Sequence, residues 1–483
     1  MEKREVLENL ELGNGIAEYD DNLRDYFIDT VYVNDFVKNK FDIILGEKGS
    51  GKSGMMLGVY KNVGNYKELE DVQLVIASTI TGDPDFKRAF DNFGTDLTEP
   101  EMIDAWKIYI FNLLWKQYLV LFNEETELKK YLENKRIIEL EGGFFAKLLH
   151  SIKRAKVNKL TIYNKTQMDG TNETGGSIDF DSAMKLFADE QIDFNYIFSE
   201  LDKSLEENGS NIWVLLDRLD DAFPDRTPES INILKALFYA YKDICAYRRI
   251  KVKIFIREDI FHDITKKGFT SLTHVASKTM PPLKWDREKM IDVFISRLIY
   301  NECVCKYLNE CGIAYENINS EVKQQIVECI LKKQIDVGRN NPDAVGWILN
   351  HIKDGRGRYT PRDFILLIDG ARAYQLDEGE DKKGGDYLIG ASAVRKAYAA
   401  VSELKLTTQL YAEYPECRNW IEKFKNGKSI HNEETIRKVL GAHWRSRVDK
   451  LVFIGFLEEI KGGWNIPFIY RPVLNISQGK AHK

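Results

Sequence analysis

Residues 41–56 read FDIILGEKGSGKSGMM, and no other stretch limits the possible folds of this chain so strongly. An apolar run, Phe41 to Leu45, enters a loop with three glycines, and Lys52 and Ser53 stand at its exit before a helical pattern. Gly46-Glu47-Lys48-Gly49-Ser50-Gly51-Lys52-Ser53 satisfies G-x-x-x-x-G-K-[ST] at every position. Glycines let consecutive backbone N–H groups turn inward around phosphate oxygens, at a helix N-terminus whose dipole favours anions. Lys52 brings a mobile positive charge to the outer phosphates, and the Ser53 hydroxyl is suited to Mg²⁺. Ordinary residue frequencies give on the order of 0.02 such matches in a chain this long, so the stretch reads as a nucleotide-binding loop.

A loop of this kind needs a second strand ending in a carboxylate for the metal. NIWVLLDRLDDAF supplies one: Ile212 to Leu216 is apolar, and Asp217 stands at the C-terminal edge, where doubly wound sheets place their ligands. A further acidic residue to polarise water is expected next, but that position holds Arg218. Asp220 and Asp221 follow three and four residues after Asp217, and either is a candidate general base. The alternative is slow or absent turnover. KVKIFIRED ends a third apolar run in Arg257, whose guanidinium is suited to reading a γ-phosphate. The competing reading is a surface arginine paired with Glu258 or Asp259. GRGRYTPRDFILLIDGARA puts Arg362 at a helix start, as a second nucleotide-sensing arginine. There Thr360 caps, Pro361 takes the first turn and Asp363 favours the dipole. Both readings of that segment hold together.

With 483 residues, several domains are expected. Runs at 41–45, 72–78, 212–217 and 251–256 alternate with amphipathic stretches, which predicts an α/β core with a parallel sheet over 1–280. A polar, glycine-bearing stretch within 125–190 interrupts the rhythm as an insertion. After Pro281-Pro282 the pattern is helical, which predicts a lid over 281–376, a linker over 377–404, and three helices with a hairpin, a winged helix, over 405–483. No run reaches the ~18 apolar residues of a membrane span, and MEKREVLENLEL does not read as a secretory signal. No membrane partner and a cytoplasmic address are therefore expected. The six cysteines form no CxxC pair and no zinc framework; Cys303, Cys305 and Cys311 read as thiols in a helical pattern. The net charge of −6 is uneven: residues 401–483 carry +5 and the first 400 carry −11. Arg437, Lys438, Arg445, Arg447, Lys450 and Lys461 make DNA one candidate partner of the last domain, and a purely structural or protein-binding winged helix the other.

The order loop, LLDRLDD, strand ending in Arg257 and lid helix opening TPRD resembles AAA+ ATPases, most of all the branch near STAND and Orc/Cdc6-like proteins. GEKGSGKS, LLDRLDD, FIRED, LKWDREKMIDVFISRL and IPFIYRPVL resemble, more narrowly, bacterial P-loop ATPases often encoded beside antiphage defence genes. The resemblance implies ATP and Mg²⁺ as ligands, Lys52 and Ser53 on phosphate and metal, Asp217 on the metal, Arg257 as first sensor and Arg362 as second. It implies homo-oligomers or a separate effector as partners, and an ATPase regulator or scaffold whose nucleotide state controls assembly. Arg218 departs from the usual acidic pair. A trans arginine finger is left open among Arg248, Arg249, Arg287 and Arg297. Two rival readings stand beside this one: a module that holds ATP without hydrolysing it, and a DNA-binding initiator or loader.

Overall fold

The computed structural model describes residues 2–77, 98–122, 127–134, 193–219, 227–266, 268, 272–379 and 385–481. The chain forms two compact units, Val31–Glu47 with Asn62–Pro282, and Met1–Thr30 with Lys48–Lys61 and Leu283–Lys483. Among the described residues no helix is long and apolar enough to cross a membrane.

The first unit is built on a parallel sheet of β1 (Ile43–Gly46), β2 (Val72–Ala77), β3 (Asn211–Leu216), β4 (Ile250–Arg257) and β5 (Thr279–Met280), ordered β2-β3-β4-β1-β5. The central strands β1, β3 and β4 are buried along nearly their whole length because helices cover both faces. On one face, helix Glu99–Leu121 starts from a capping box of Thr98 and Glu101 and packs against helix Pro228–Ile244. Trp106 Nε1 donates to the Ile233 carbonyl at 2.9 Å across that contact. On the other face, Phe36 of helix Val31–Val37 meets Trp213 of β3 edge-on, centroids 5.8 Å apart, and Phe255 of β4. All four expected strands form within two residues of their apolar runs; the two-residue β5 is additional. Most of the expected insertion, and Asp220 and Asp221, lie outside the described residues.

A lysine is buried in this sheet. Lys253 of β4 donates to Asp42 Oδ1 at 2.7 Å, the Phe41 carbonyl at 2.9 Å and Asn39 Oδ1 at 2.5 Å. Its ammonium lies 4.2 Å from the Trp213 ring centroid, and Tyr241 donates to the other Asp42 oxygen at 2.8 Å. Burial outweighs the attraction of Asp42 and lowers the Lys253 pKa to about 8.

The second unit holds the helices after Pro282. Arg287–Ile299, Ser320–Ile330, Ala344–Ile352 and Pro361–Glu378 each start at a side-chain cap, from Asp286, Asn319, Asp343 and Thr360. Their apolar faces share one core with the N-terminal helix Lys3–Asn9, through Val6 and Leu7. Helix Ala391–Leu404 lies along Pro361–Glu378, with Gly370 close against Ala397, and runs on through a π-helical turn, Lys405–Leu410, into Tyr411–Glu413.

The chain then forms helix Arg418–Ile421, β6 (Lys428–His431), helices Glu433–Leu440 and Trp444–Phe453, and a hairpin of β7 (Glu458–Ile460) and β8 (Gly463–Asn465). β8 pairs antiparallel with both β7 and β6, which is winged-helix topology; β9 (Ser477–Lys480) adds a strand beside β6. Gly462, with φ +87°, makes the hairpin turn, as the Lys-Gly-Gly sequence suggests. The α/β class, with its parallel sheet, helical segment and winged helix, is as expected.

Candidate phosphate-binding site

β1 ends at Gly46 and the next helix begins at Lys52, so the loop turns between strand and helix over a few residues. Gly49 and Gly51 have φ of +82° and +93°, a left-handed backbone that side-chain-bearing residues rarely adopt. A Cβ on Gly49 would lie 3.3 Å from Thr360 Oγ1 and 3.4 Å from Arg362 Cβ; one on Gly51 would lie 3.4 Å from Trp285 Cζ2. The lid helix start thus sits against the loop's glycines. Trp285 Nε1 donates to the Ser50 carbonyl at 2.8 Å and fixes the peptide between them. Ser50 Oγ is buried without a hydrogen-bond partner among the described residues, which suits a loop that takes a polar ligand.

Two features of the loop's surroundings escape sequence reading. Segment 15–27 covers the loop helix: Ala17 packs at Gly54 and Phe27 at Gly58, while Arg362 Nε donates to the Gly15 carbonyl at 3.2 Å. Gly54 and Gly58 are four residues apart, on one helix face, and that spacing was the available signal for a close neighbour. Lys48 pairs with Glu413 at 2.6 Å. Nothing local in the sequence announces that pair.

In the sheet, β4 lies between β1 and β3, so the arginine-bearing strand separates the loop strand from the acidic strand. Gly46 pairs in register with Arg257. Asp217, just past β3, is two strands from β1, about 10 Å away by ordinary strand spacing. Asp217 is buried, and Arg218 after it takes a left-handed φ of +57°, so the chain turns sharply at the end of the strand. Such a conformation costs a non-glycine residue about 1–2 kcal/mol.

Arg257 is buried and its fork is engaged: Nε donates to Asp259 Oδ1 at 3.1 Å and Nη2 to Oδ2 at 2.8 Å. The expected alternative of an Asp259 pair is therefore present, but in the interior and bidentate. Three arginine-finger candidates have acidic partners, Arg249 facing Glu206 at 3.9 Å. Arg297 is buried against Asp20 and the Tyr26 ring, and Arg287 clasps Asp343 at 3.0 and 2.5 Å.

Among the described residues no group of three His, Cys, Asp or Glu gathers as a metal site. The cysteines are free thiols, with Cys311 and Cys329 Sγ atoms 3.5 Å apart. Mg²⁺ at a phosphate loop needs only one or two protein oxygens beside phosphate and water, and Ser53 and Asp217 have the right donor chemistry. On the winged helix four of the six candidate basic side chains have local partners. Lys438 pairs with Glu434 at 2.6 Å, Arg445 with Glu433 at 3.5 Å and Lys450 with Glu416 at 3.6 Å, while Arg447 donates to the Leu440 carbonyl.

No protein-family model matches the chain, and no curated protein matches it. Solved structures similar over most of its length include the following three. The Walker-type ATPase PABY2304 of Pyrococcus abyssi is 12% identical, with 97% of this chain and all of that chain covered, at a TM-score of 0.39. Aeropyrum pernix ORC2, solved as ADPNP–ADP complexes, is 12% identical over 92% of this chain and 90% of its own, at 0.40. Aeropyrum pernix ORC1 in complex with DNA is 10% identical over 98% and 97%, at 0.35. The fold assignment rests on the strand order and loop geometry of the chain itself.

Proposed function

We propose that this chain binds ATP with Mg²⁺ through Gly46–Ser53 and hydrolyses it slowly, as an AAA+-like regulator or scaffold. The observation that carries the reading is the loop: left-handed Gly49 and Gly51 between a buried parallel strand and a helix opening at Lys52. In this reading Lys52 would neutralise the outer phosphates, and Ser53 and Asp217 would hold Mg²⁺, which would supply positive charge to offset that of the phosphates. Asp220 or Asp221 accepts the proton of the attacking water, Arg257 senses the γ-phosphate, and Arg362 brings the lid's charge to the loop. The working division is a core over 1–280, a lid over 281–376, a linker over 377–404 and a winged helix over 405–483. Nucleotide state would set the position of lid and winged helix and so govern self-assembly or a separate effector. Antiphage defence is the setting suggested by the resemblance of the motifs.

A second reading is favoured by two observations. Arg218 stands where an acidic residue is usual, and Asp259 already engages the Arg257 fork. Both fit a chain that holds ATP as a switch or staple and seldom turns it over. DNA binding through the winged helix draws less support, because four of its six candidate basic residues, Lys438, Arg445, Arg447 and Lys450, have acidic, carbonyl or ring partners. Equilibrium binding of a fluorescent ATP analogue tests the common ground of both readings. Saturable, Mg²⁺-dependent binding lost in Lys52→Ala is expected, and equal binding by both proteins would refute it. Duplex DNA titration at two salt concentrations tests the third reading, which requires a steep loss of affinity with salt.

A further inference from the structure

Lys48 is the third residue of the phosphate loop, and its ammonium is held by a carboxylate 365 positions later in the chain. The Lys48 Nζ–Glu413 Oε1 distance is 2.6 Å, with the Glu413 side chain only 16% exposed. Glu413 is the last residue of the helical run Ala391–Glu413, which leads on to helix Arg418–Ile421 of the winged-helix segment. The same run is pinned a second time. Lys405 Nζ meets Asp363 Oδ2 at 2.7 Å, both side chains largely buried, and Asp363 follows Arg362 at the lid helix start that touches Gly49.

Between the two pins lies the π-helical turn Lys405–Leu410. Thr407 and Thr408 each turn their hydroxyls back onto the helix, to the Glu403 and Leu404 carbonyls at 2.7 Å. Turns of this kind interrupt a helix and often mark a functional position. The run is therefore fixed to the lid at one end of an irregular turn and to the phosphate loop at the other.

We propose that Glu413 is a positioning residue of the phosphate loop and that bound nucleotide competes with it for Lys48. The inference rests on the reading of the loop as a nucleotide site. A triphosphate brings several negative charges to the loop; they attract the Lys48 ammonium and repel the Glu413 carboxylate. Loading the loop weakens the pair, and by reciprocity the pair weakens loading. The helix end at Glu413 is thereby released from the loop when nucleotide binds, which passes nucleotide state to the winged helix through one ion pair. The ligand recognised is a nucleoside polyphosphate; a neutral nucleoside would leave the pair intact.

The test is a titration of the full-length chain with a fluorescent ATP analogue, for wild type and the variants Lys52→Ala, Glu413→Gln, Glu413→Asp, Lys48→Gln and Lys48→Gln/Glu413→Gln. Removing one nearby negative charge and releasing Lys48 makes Glu413→Gln bind roughly 3–10-fold tighter. Glu413→Asp, which keeps the charge on a shorter arm, moves the same way by less. On the Lys48→Gln background the Glu413→Gln change has little further effect. A role in packing alone would lower the thermal midpoint without this non-additivity. Wild-type binding that Glu413→Gln leaves equal or weaker overturns the proposal by itself. Wild type and Lys52→Ala that both fail to bind overturn the nucleotide reading, and this proposal with it.

Discussion

Removing the carboxylate of Asp42 exposes how the sheet tolerates a lysine in its middle strand. In Asp42→Ala the Lys253 ammonium keeps the Phe41 carbonyl, Asn39 Oδ1 and the Trp213 ring but loses its counter-charge, and the Tyr241 hydroxyl loses its acceptor. Orphaning one member of a buried ion pair costs about 3–5 kcal/mol. An unpaired buried hydroxyl adds about 1–3 kcal/mol. The total, about 4–8 kcal/mol, is comparable with the whole stability of a typical domain. Replacing the set together, as Lys253→Met/Asp42→Leu/Tyr241→Phe, removes every charge and the hydroxyl, and is expected to cost far less than the single change. Urea unfolding followed by tryptophan fluorescence compares the two; Trp213 lies beside Lys253 and reports on this core. A loss below about 1 kcal/mol in Asp42→Ala, or a triple variant weaker than the single one, would refute the reasoning.

The same lysine sets a pH dependence with an unusual sign. Its folded pKa of about 8 lies below the ordinary lysine value of 10.5, so the unfolded chain binds more protons between those values. Stability from this group therefore rises as pH climbs from about 8 towards 10.5, and the burial cost is carried in full below that window. Asp42, Lys251 and Lys278 set the local field with it. The difference in urea midpoint between wild type and Lys253→Met, taken at two values in the window, isolates the effect from other titrating groups. A difference that does not change, or shrinks wild-type stability as pH rises, contradicts it.

Other consequences are simpler to measure. Gly49→Ala forces a side chain into a left-handed backbone 3.3 Å from Thr360 Oγ1; it should cost about 1–2 kcal/mol of stability and weaken ATP-analogue binding at least tenfold, by titration. Thr360→Ala removes the cap of the lid helix, whose hydroxyl accepts from Asp363 N at 3.2 Å, and should lower stability by about 1 kcal/mol in urea melts. Asp259→Asn keeps the shape but removes the charge that neutralises Arg257, so phosphate release should rise; an unchanged rate would separate Arg257 from γ-phosphate sensing.

The loop and the central strands were legible because their chemistry is local. A fixed spacing of glycines, Lys52 and Ser53 has few other uses, and runs such as IWVLL can only be buried on both faces. The Thr360-Pro361 helix start was legible for the same reason, since a cap is decided within three residues. What escaped depends on pairs far apart in sequence. Lys253 in KVKIFI looks like the solvent face of an alternating strand; only Asp42, 211 positions earlier, makes its burial tolerable. Glu413 is one acid among many until the fold brings Lys48 to it. β5 escaped because two residues carry no periodicity, and β9 because SQGK has neither apolar nor β-branched content. Asp259 was visible as a partner for Arg257, but the burial of that pair was not.

The most direct test of the central claim is phosphate release by the purified chain under single-turnover conditions, with Mg²⁺, beside Lys52→Ala and Asp217→Ala. Slow release by wild type that both substitutions abolish is the predicted result, with Asp217→Ala still binding the nucleotide. Release that survives either substitution would contradict an ATPase built on Lys52 and Asp217, and tight binding with no release at all would make the loop a holder of its nucleotide.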